Sequence, residues 1–200
     1  MYHLSKSSEK TITKRRLKGL YKYLGTTPVW VPHREVAKAL GHGDGAINAV
    51  VRVHGPYVWA TEFENVHALW DFTEPGFSYD GVYFKGPEQL YQLQKLGGPR
   101  SVAFQTNKRK FANATAMWSY TMGQNVALRR DWSATVKDDA MRRALFYKFI
   151  KNDELWDLLT STASHPLISI KDDNYWGIGL DGTGDNRLPM LLMDLRSRFA

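Results

Sequence analysis

The clearest pattern of apolar positions lies near the end of the chain. Leucine and phenylalanine recur there at i, i+3, i+4, i+7 and i+11, at Leu188, Leu191, Leu192, Leu195 and Phe199. That spacing predicts an α-helix with one apolar face. Asp185 or Asn186 is placed to cap its first turn, and Pro189 is tolerated within that turn.

A segment with four glycines, residues 177–184, leads into this helix. Such a junction can present backbone N–H groups to anionic oxygens. The glycine spacing matches neither a Rossmann fingerprint nor a Walker A loop. On spacing alone, a turn-rich connector is the favoured interpretation.

Runs of β-branched and aromatic residues elsewhere predict short strands. They are expected in the segments TTPVWVP, VVRV, YVWATEF and HPLISIK. Asp80-Gly81, flanked by aromatic and β-branched residues in FSYDGVYFKG, is a signature of a tight hairpin.

Helices are predicted from capping residues and apolar spacing. The first is expected to begin at Pro87 and end at Gly97-Gly98, and the second to begin at Ala112. The third is expected to begin at a capping box formed by Thr135 and Asp138 and to end at about Phe149, and the fourth to begin at Asn152. In the third of these, Met141, Ala144, Leu145 and Phe149 are expected to face the core.

Composition places the chain among globular proteins, since 43% of its 200 residues are apolar and 24% are charged. No apolar run approaches the roughly 18 residues of a membrane span. The start lacks the basic–apolar–small layout of a signal peptide. The absence of cysteine excludes disulfides, thiol chemistry and cysteine-ligated metals. The six histidines are scattered, so we expect neither a metal nor a cofactor.

The net charge of +7 is concentrated at the start of the chain. Residues 1–25 contain seven lysines and arginines against a single acid, Glu9. A segment of this kind favours polyanions such as nucleic acid or nucleotide phosphates. A solvated tail without a partner and an organellar presequence are the alternatives.

The predicted helix after Pro87 carries a polar stripe. Glu88, Tyr91, Gln92 and Lys95 fall at i, i+3, i+4 and i+7. An acid, a phenol, an amide and an amine therefore share one side of the helix. On the pattern alone, a solvated face is the favoured interpretation.

Three separated segments resemble motifs of the NADAR/YbiA-like family of N-glycosidases. The closing motif of that family is approximately D-x-[YF]-W-G-x-G-x-x-G-x-G-x-N-x-L-G-x-L-L-M-x-x-R. The residues that fit it are Asp173, Tyr175, Trp176, Gly177, Gly179, Gly182, Gly184, Asn186, Leu188, Leu191, Leu192, Met193 and Arg196. Pro189 stands where the family usually has glycine.

The other two motifs lie earlier in the chain. The polar stripe is similar to [ST]-V-E-H-[YF]-[YF]-Q-A-x-K, with Gln89 in place of histidine and Leu90 in place of an aromatic. Arg129, Asp131 and Trp132 match an L-R-x-D-W element. Arg129 can clamp phosphate and Trp132 can stack on a flat ring; a structural tryptophan beside an Arg–Asp pair explains the same residues.

A family Ser-Asn-Phe corresponds to Trp70, Asp71 and Phe72 in this chain. Only the phenylalanine is kept. Asp71 can accept hydrogen bonds where the family's asparagine binds substrate, but it cannot donate them.

The resemblance covers about residues 51–199 and implies an α+β fold, a mostly helical single domain with a few short strands. It divides the chain into a basic N-terminal extension, residues 1–50, and a NADAR/YbiA-like catalytic domain, residues 51–200.

The activity implied by the resemblance is cleavage of a bond between ribose and nitrogen. Lys95 is then the expected nucleophile of a Schiff-base route, Glu88 transfers protons, and Asp173 protonates the leaving nitrogen or positions water. In the alternative, direct hydrolysis, Asp173 or Glu88 activates water and Lys95 binds phosphate. Substrate contacts are expected from Asp71, Phe72, Tyr91, Gln92, Arg129, Trp132, Tyr175, Trp176, Gly177, Gly179 and Asn186.

The favoured function is removal of ADP-ribose from guanine bases in DNA, because of the basic start and a WGIGL loop in place of a more acidic WGDGG version. Hydrolysis of phosphoribosylamino-pyrimidine intermediates of riboflavin synthesis is the first alternative. A non-catalytic ADP-ribose or nucleic-acid-binding module is the second. The expected partner is ADP-ribose-bearing nucleic acid or a nucleotide-like small molecule, with no membrane, in the cytoplasm or nucleus.

Overall fold

The computed structural model describes residues 19, 22–23, 29–31, 50–52, 57–61, 75–162, 166–169 and 171–199. Its strands are β1, Val29–Val31; β2, Val50–Arg52; β3, Tyr57–Thr61; β4, Phe77–Tyr79; β5, Val82–Phe84; and β6, Leu167–Ser169. Its helices are α1, Pro87–Gln94; α2, Val102–Asn113; α3, Ala116–Gln124; α4, Ala134–Ile150; α5, Asp153–Ser161; and α6, Arg187–Phe199. The predicted fold class, mostly helical with a few short strands, is confirmed.

The fold divides into two compact units. The first consists of Met1–His67 with Leu158–Ala200, and the second of Ala68–Asp157. The second unit is thus an insertion between two segments of the first. The basic segment at the start of the chain, residues 1–25, lies largely outside the described residues, as do Asp71 and Phe72.

The first unit contains a four-stranded sheet with the order β1-β2-β3-β6. Antiparallel pairing joins β1 to β2 and β2 to β3, whereas β3 and β6 run parallel, with Trp59 opposite Leu167. Parallel neighbours require a long crossover, and the chain between β3 and β6 contains the inserted unit. The four strands confirm the predictions made from β-branched and aromatic runs.

The last helix, α6, packs against β6 in the first unit. Four of its five predicted core residues are buried, namely Leu188, Leu191, Leu192 and Leu195. The prediction for Phe199 was wrong, since that side chain is 52% exposed. A 13-residue helix spans about 20 Å and a three-residue strand about 10 Å, so α6 extends beyond the strand it covers.

The second unit begins with the β4–β5 hairpin, as predicted. Asp80 and Gly81 have φ angles of 50° and 72°, the left-handed pair that a type I′ turn requires. The hairpin and helices pack around α1, which contacts α2, α3 and α4. Their shared core consists of Phe77, Phe84, Leu90, Leu93, Phe104, Phe111, Ala112 and Ala144. The predicted inner face of α4 is also confirmed, because Met141, Ala144, Leu145 and Phe149 are all buried.

The predicted start of a helix at Ala112 was wrong. Ser101 caps a helix ten residues earlier, its Oγ accepting the N–H of Phe104 at 3.1 Å, and α2 ends at Asn113. A second cap follows, because Thr115 Oγ1 accepts the N–H of Trp118 at 3.1 Å and starts α3. Few apolar residues lie on the buried face of α2, so the apolar periodicity of its sequence only weakly indicates a helix.

The predicted start of α4 was also displaced. Its N-cap is Ser133, whose Oγ accepts the N–H of Val136 at 3.3 Å, and Thr135 lies inside the first turn. Trp132 packs against Tyr91 just before this cap, so a tertiary contact sets where the helix starts. Asn152 precedes α5 as predicted, but its side-chain amide donates to the carbonyls of Gly76 and Lys148.

Among the helices of the described residues, none combines the length and the apolar character that crossing a bilayer requires.

Candidate active site

Helix α1 buries its polar stripe. Glu88, Gln92 and Lys95 are 2%, 1% and 8% exposed, and Tyr91 is 4% exposed. All eight residues of the helix are buried, because α2, α3 and α4 surround it. The interpretation of the stripe as a solvated face is therefore wrong. Burying a carboxylate and an amine is costly unless both are hydrogen-bonded, so such a cluster calls for a functional explanation.

Two of these buried polar side chains, Gln92 and Lys95, donate hydrogen bonds. Gln92 Nε2 donates to Glu88 Oε1 at 2.6 Å, and Lys95 Nζ donates to the backbone carbonyl of Gly123 at 3.0 Å. Gly123 lies near the C-terminal end of α3, where the helix dipole is negative and favours an amine.

The environment of Lys95 disfavours its charged form. Burial lowers the pKa of Lys95 below its ordinary value of 10.5; the charge of Glu88 acts in the opposite direction, and that of Lys137 lowers the pKa further. A lysine with a lowered pKa provides a larger fraction of neutral amine, which is the nucleophilic form. Both Gly123 and Lys137 were missed by sequence reasoning.

Aromatic rings lie beside this amine. The Tyr91 and Trp132 ring centroids are 5.9 Å apart, and Lys95 Nζ lies 5.6 Å from the Tyr91 centroid. Trp132 is half-buried, so part of its ring is available to a flat substrate group.

Arg129 is held by its neighbour in the L-R-x-D-W element. Its Nε and Nη2 donate to the two carboxylate oxygens of Asp131 at 2.5 and 2.6 Å. Its backbone N–H donates to the carbonyl of Lys95 at 2.8 Å, which attaches the element to α1. The Arg129–Asp131 pair thus forms in the structure, and phosphate binding by Arg129 stays a prediction.

The glycine-rich loop of the first unit is organised by Asp173. Its Oδ1 accepts the backbone N–H groups of Tyr175 and Trp176, each at 2.8 Å. The carboxylate is half-buried, and both of these hydrogen bonds are accepted by the same oxygen, Oδ1. Trp176 is only 8% exposed, and its ring meets that of Tyr175 edge-on at 4.9 Å.

Asn186 and the loop glycines hold the loop against β6. Asn186 Oδ1 accepts the N–H of Ser169 at 2.9 Å, and its Nδ2 donates to the carbonyl of Leu167 at 3.0 Å. Gly179 has a φ of 67°, and a Cβ there would lie 2.0 Å from Asn174 Oδ1, so a larger residue would strain the backbone and displace the Asn174 side chain. Asn186 thus has a structural role that its spacing did not reveal.

The structure brings the predicted residues together in two groups. The second unit holds Glu88, Tyr91, Gln92, Lys95, Arg129 and Trp132, and the first unit holds Asp173, Tyr175, Trp176, Gly177, Gly179 and Asn186. The expected meeting of Asp173 with Glu88 and Lys95 stays a prediction.

A family model described as the NADAR domain matches residues 51–200. The chain belongs to the NADAR family. N-glycosidase YbiA from Shigella boydii serotype 4 is 36% identical over 124 residues, which cover 60% of this chain and 74% of the relative. The riboflavin biosynthesis protein PYRR, chloroplastic, from Zea mays is 35% identical over 130 residues, covering 60% of this chain and 21% of the relative.

The NADAR fold is also shared with a solved structure. The NMR structure of the Escherichia coli protein YbiA matches 70% of this chain and 83% of its own, with a TM-score of 0.61 and 28% sequence identity. The chain is thus an N-glycosidase of the NADAR/YbiA family. The buried Glu88–Gln92–Lys95 cluster is its candidate active site.

Proposed function

We propose that this enzyme cleaves the bond between the anomeric carbon of a ribose and the exocyclic nitrogen of a base, with Lys95 as the nucleophile. The observation that carries the proposal is the burial of the Lys95 amine on the same helix face as the Glu88 carboxylate. Burial lowers the pKa of this amine, as covalent catalysis by lysine requires.

The chemistry follows from the nature of the substrate. A glycosylamine can open its ring to an imine at the anomeric carbon. The neutral Lys95 amine adds to that carbon, and the base leaves as its amine after a proton is transferred to its nitrogen. Water then hydrolyses the lysine imine and releases the free sugar.

The carboxylates have separate roles in this route. Glu88, held by Gln92 at 2.6 Å, moves protons between the incoming and leaving amines. Asp173 protonates the leaving nitrogen or positions the water. Tyr91 and Trp132 bind the flat base, and Arg129 with the loop amides binds phosphate.

The substrate class we propose is ADP-ribose attached to guanine in DNA. The net charge of +7 and the basic residues 1–25 support a polyanionic substrate. Hydrolysis of phosphoribosylamino-pyrimidine intermediates is the second candidate, because the Zea mays relative is named as a riboflavin biosynthesis protein.

The test compares the two substrates in parallel. The protein is incubated with an ADP-ribosylated oligonucleotide and with a phosphoribosylaminouracil, and the products are identified by mass. Release of ADP-ribose and unmodified DNA supports the first substrate. Release of the aminouracil alone supports the second, and no product from either contradicts both.

Borohydride added during turnover tests the role of Lys95. We expect a sugar adduct on the Lys95 peptide, and we expect Lys95→Arg to lose both the adduct and at least a thousandfold in kcat/KM. Lys151→Arg is the matched control, because Lys151 is an exposed lysine of the same unit. Turnover without any adduct would favour direct hydrolysis.

A further inference from the structure

The charges of the second unit are unevenly distributed along its helices. Residues 89–130 contain no aspartate or glutamate, while seven lysines and arginines occur among them. This stretch includes most of α1, all of α2 and α3, and the segment that leads to α4.

Two of these basic side chains are neutralised by carboxylates from outside the stretch. Lys108 Nζ lies 2.7 Å from Asp80 Oδ2, and Arg129 is paired with Asp131. Arg109 and Lys110 are exposed in the last turn of α2, and neither has a carboxylate partner within the described residues.

An aromatic ring lies beside one of these cations. Lys110 Nζ lies 5.4 Å from the centroid of the half-buried Trp118 ring, and Trp118 packs edge-on against Phe111. On other sides of α3, Met117 and Tyr120 are 59% and 44% exposed. Cations interleaved with flat rings are the combination that binds a single nucleic-acid strand, because phosphates meet the charges and bases stack on the rings.

An ordinary solvated helix face would have a different composition. In two other helices, basic residues are paired with acids, as in the Arg142–Asp139 pair of α4 and the Arg198–Asp194 pair of α6. Helices α2 and α3 have no acid and expose large apolar side chains instead. This contrast favours a binding surface.

Helix α3 connects this surface to the candidate active site. Trp118 and Gly123 are five residues apart, or roughly 8 Å along the helix axis. The backbone carbonyl of Gly123 accepts a hydrogen bond from the Lys95 amine.

We propose that Arg109, Lys110 and Trp118 form a basic-aromatic patch that binds the nucleic-acid strand flanking the modified base. The inference rests on the proposed function and names the part of its substrate that lies outside the reacting nucleoside. A mononucleoside has no flanking strand that could contact the patch, whereas an oligonucleotide has one.

The test uses Arg109→Ala/Lys110→Ala, with Lys85→Ala/Lys151→Ala as a control of equal charge change on exposed lysines. Alanine favours helix, so the α2 variant keeps its fold, which thermal unfolding checks. Binding of an unmodified single-stranded 12-mer is measured by fluorescence anisotropy at a series of salt concentrations. Cleavage of an ADP-ribosylated mononucleoside is measured in parallel.

The patch predicts a roughly tenfold weaker affinity at about 0.1 M salt for the α2 variant and a salt slope that falls by about 1.4, or 0.7 for each phosphate that is no longer neutralised. Cleavage of the mononucleoside should stay unchanged. Equal affinity and slope in wild type and the α2 variant, or an equal loss in the control, overturns the patch. If the wild-type protein does not cleave the ADP-ribosylated mononucleoside, the proposed function is contradicted. The binding of the 12-mer still tests the patch independently in that case.

Discussion

Gly123 meets two side chains of the buried polar stripe. Its backbone carbonyl accepts a hydrogen bond from the Lys95 amine. A Cβ at this position would lie 1.8 Å from Gln92 Oε1 and 2.5 Å from Gln92 Cδ. We therefore expect Gly123 to act as a positioning residue, because its lack of a side chain leaves room for Gln92, whose amide donates to Glu88.

Gly123→Ala is expected to lower kcat by at least tenfold with little change in KM, because a displaced Gln92 no longer holds Glu88. Gln92→Ala removes the atoms that the new Cβ would meet. The double variant Gln92→Ala/Gly123→Ala should therefore be no less active than Gln92→Ala alone. Steady-state kinetics on the four proteins measure this coupling, and simple additivity of the two effects would contradict it.

The protonation of Lys95 should also be visible in stability. Its pKa in the folded protein is lowered from 10.5, chiefly by burial. Between the lowered value and 10.5, the unfolded chain binds more protons than the folded one, so the free energy of unfolding rises with pH in that window. Lys95→Met lacks this contribution. Urea unfolding at increasing pH should show wild type gaining stability relative to Lys95→Met, and a constant difference would disprove the lowered pKa.

At the scale of elements, α1 is a short helix with polar side chains on a buried face. It is stable because its neighbours supply partners: Gln89 Nε2 donates to the carbonyl of Ala114 at 3.2 Å, and Gln94 Nε2 to that of Ala140 at 2.9 Å. The rotation of α1 about its axis is thus fixed by hydrogen bonds to the C-cap of α2 and to α4. This fixed rotation directs Glu88, Gln92 and Lys95 to one side.

The cap of α4 gives a test at the same scale. Ser133→Ala should lower the free energy of unfolding by about 1 kcal/mol, because the Val136 N–H loses its acceptor. Thr135→Ala is the matched control, since Thr135 lies within the helix and its replacement should cost less than about 0.5 kcal/mol. Chemical denaturation of both variants measures the difference, and a larger effect at Thr135 would contradict the observed cap.

At the scale of the whole molecule, the net charge of +7 has a consequence for binding. Replacing Lys6, Lys10, Lys14, Arg15 and Arg16 with glutamine should weaken binding of single-stranded DNA and lower the salt slope by about 0.7 for each phosphate that these side chains neutralise. Lys22 is kept, because its amine lies 3.9 Å from Asp181 in the glycine-rich loop. Anisotropy titrations measure the slope. An unchanged slope would show that the segment is a solvated tail.

Much of the fold was predictable from local pattern. The Asp80-Gly81 turn, the β-branched strands and the leucine spacing of α6 each depend on neighbouring residues, so a single sequence contains the necessary information. The N-caps Ser101 and Ser133 were not predicted from the sequence. Many serines precede apolar residues, and tertiary packing, such as that of Trp132 on Tyr91, determines which serine becomes the N-cap of a helix.

The sequence by itself determined the types of residue available for chemistry: a carboxylate, an amide and an amine at helical spacing, with no cysteine to compete. The tertiary structure alone decided that this stripe is buried, because burial depends on the helices that pack around α1. It also supplied Gly123, which is distant from Lys95 along the chain yet accepts its amine. Solvent exclusion and the pKa of a lysine depend on what surrounds it in space, which spacing along one helix does not specify.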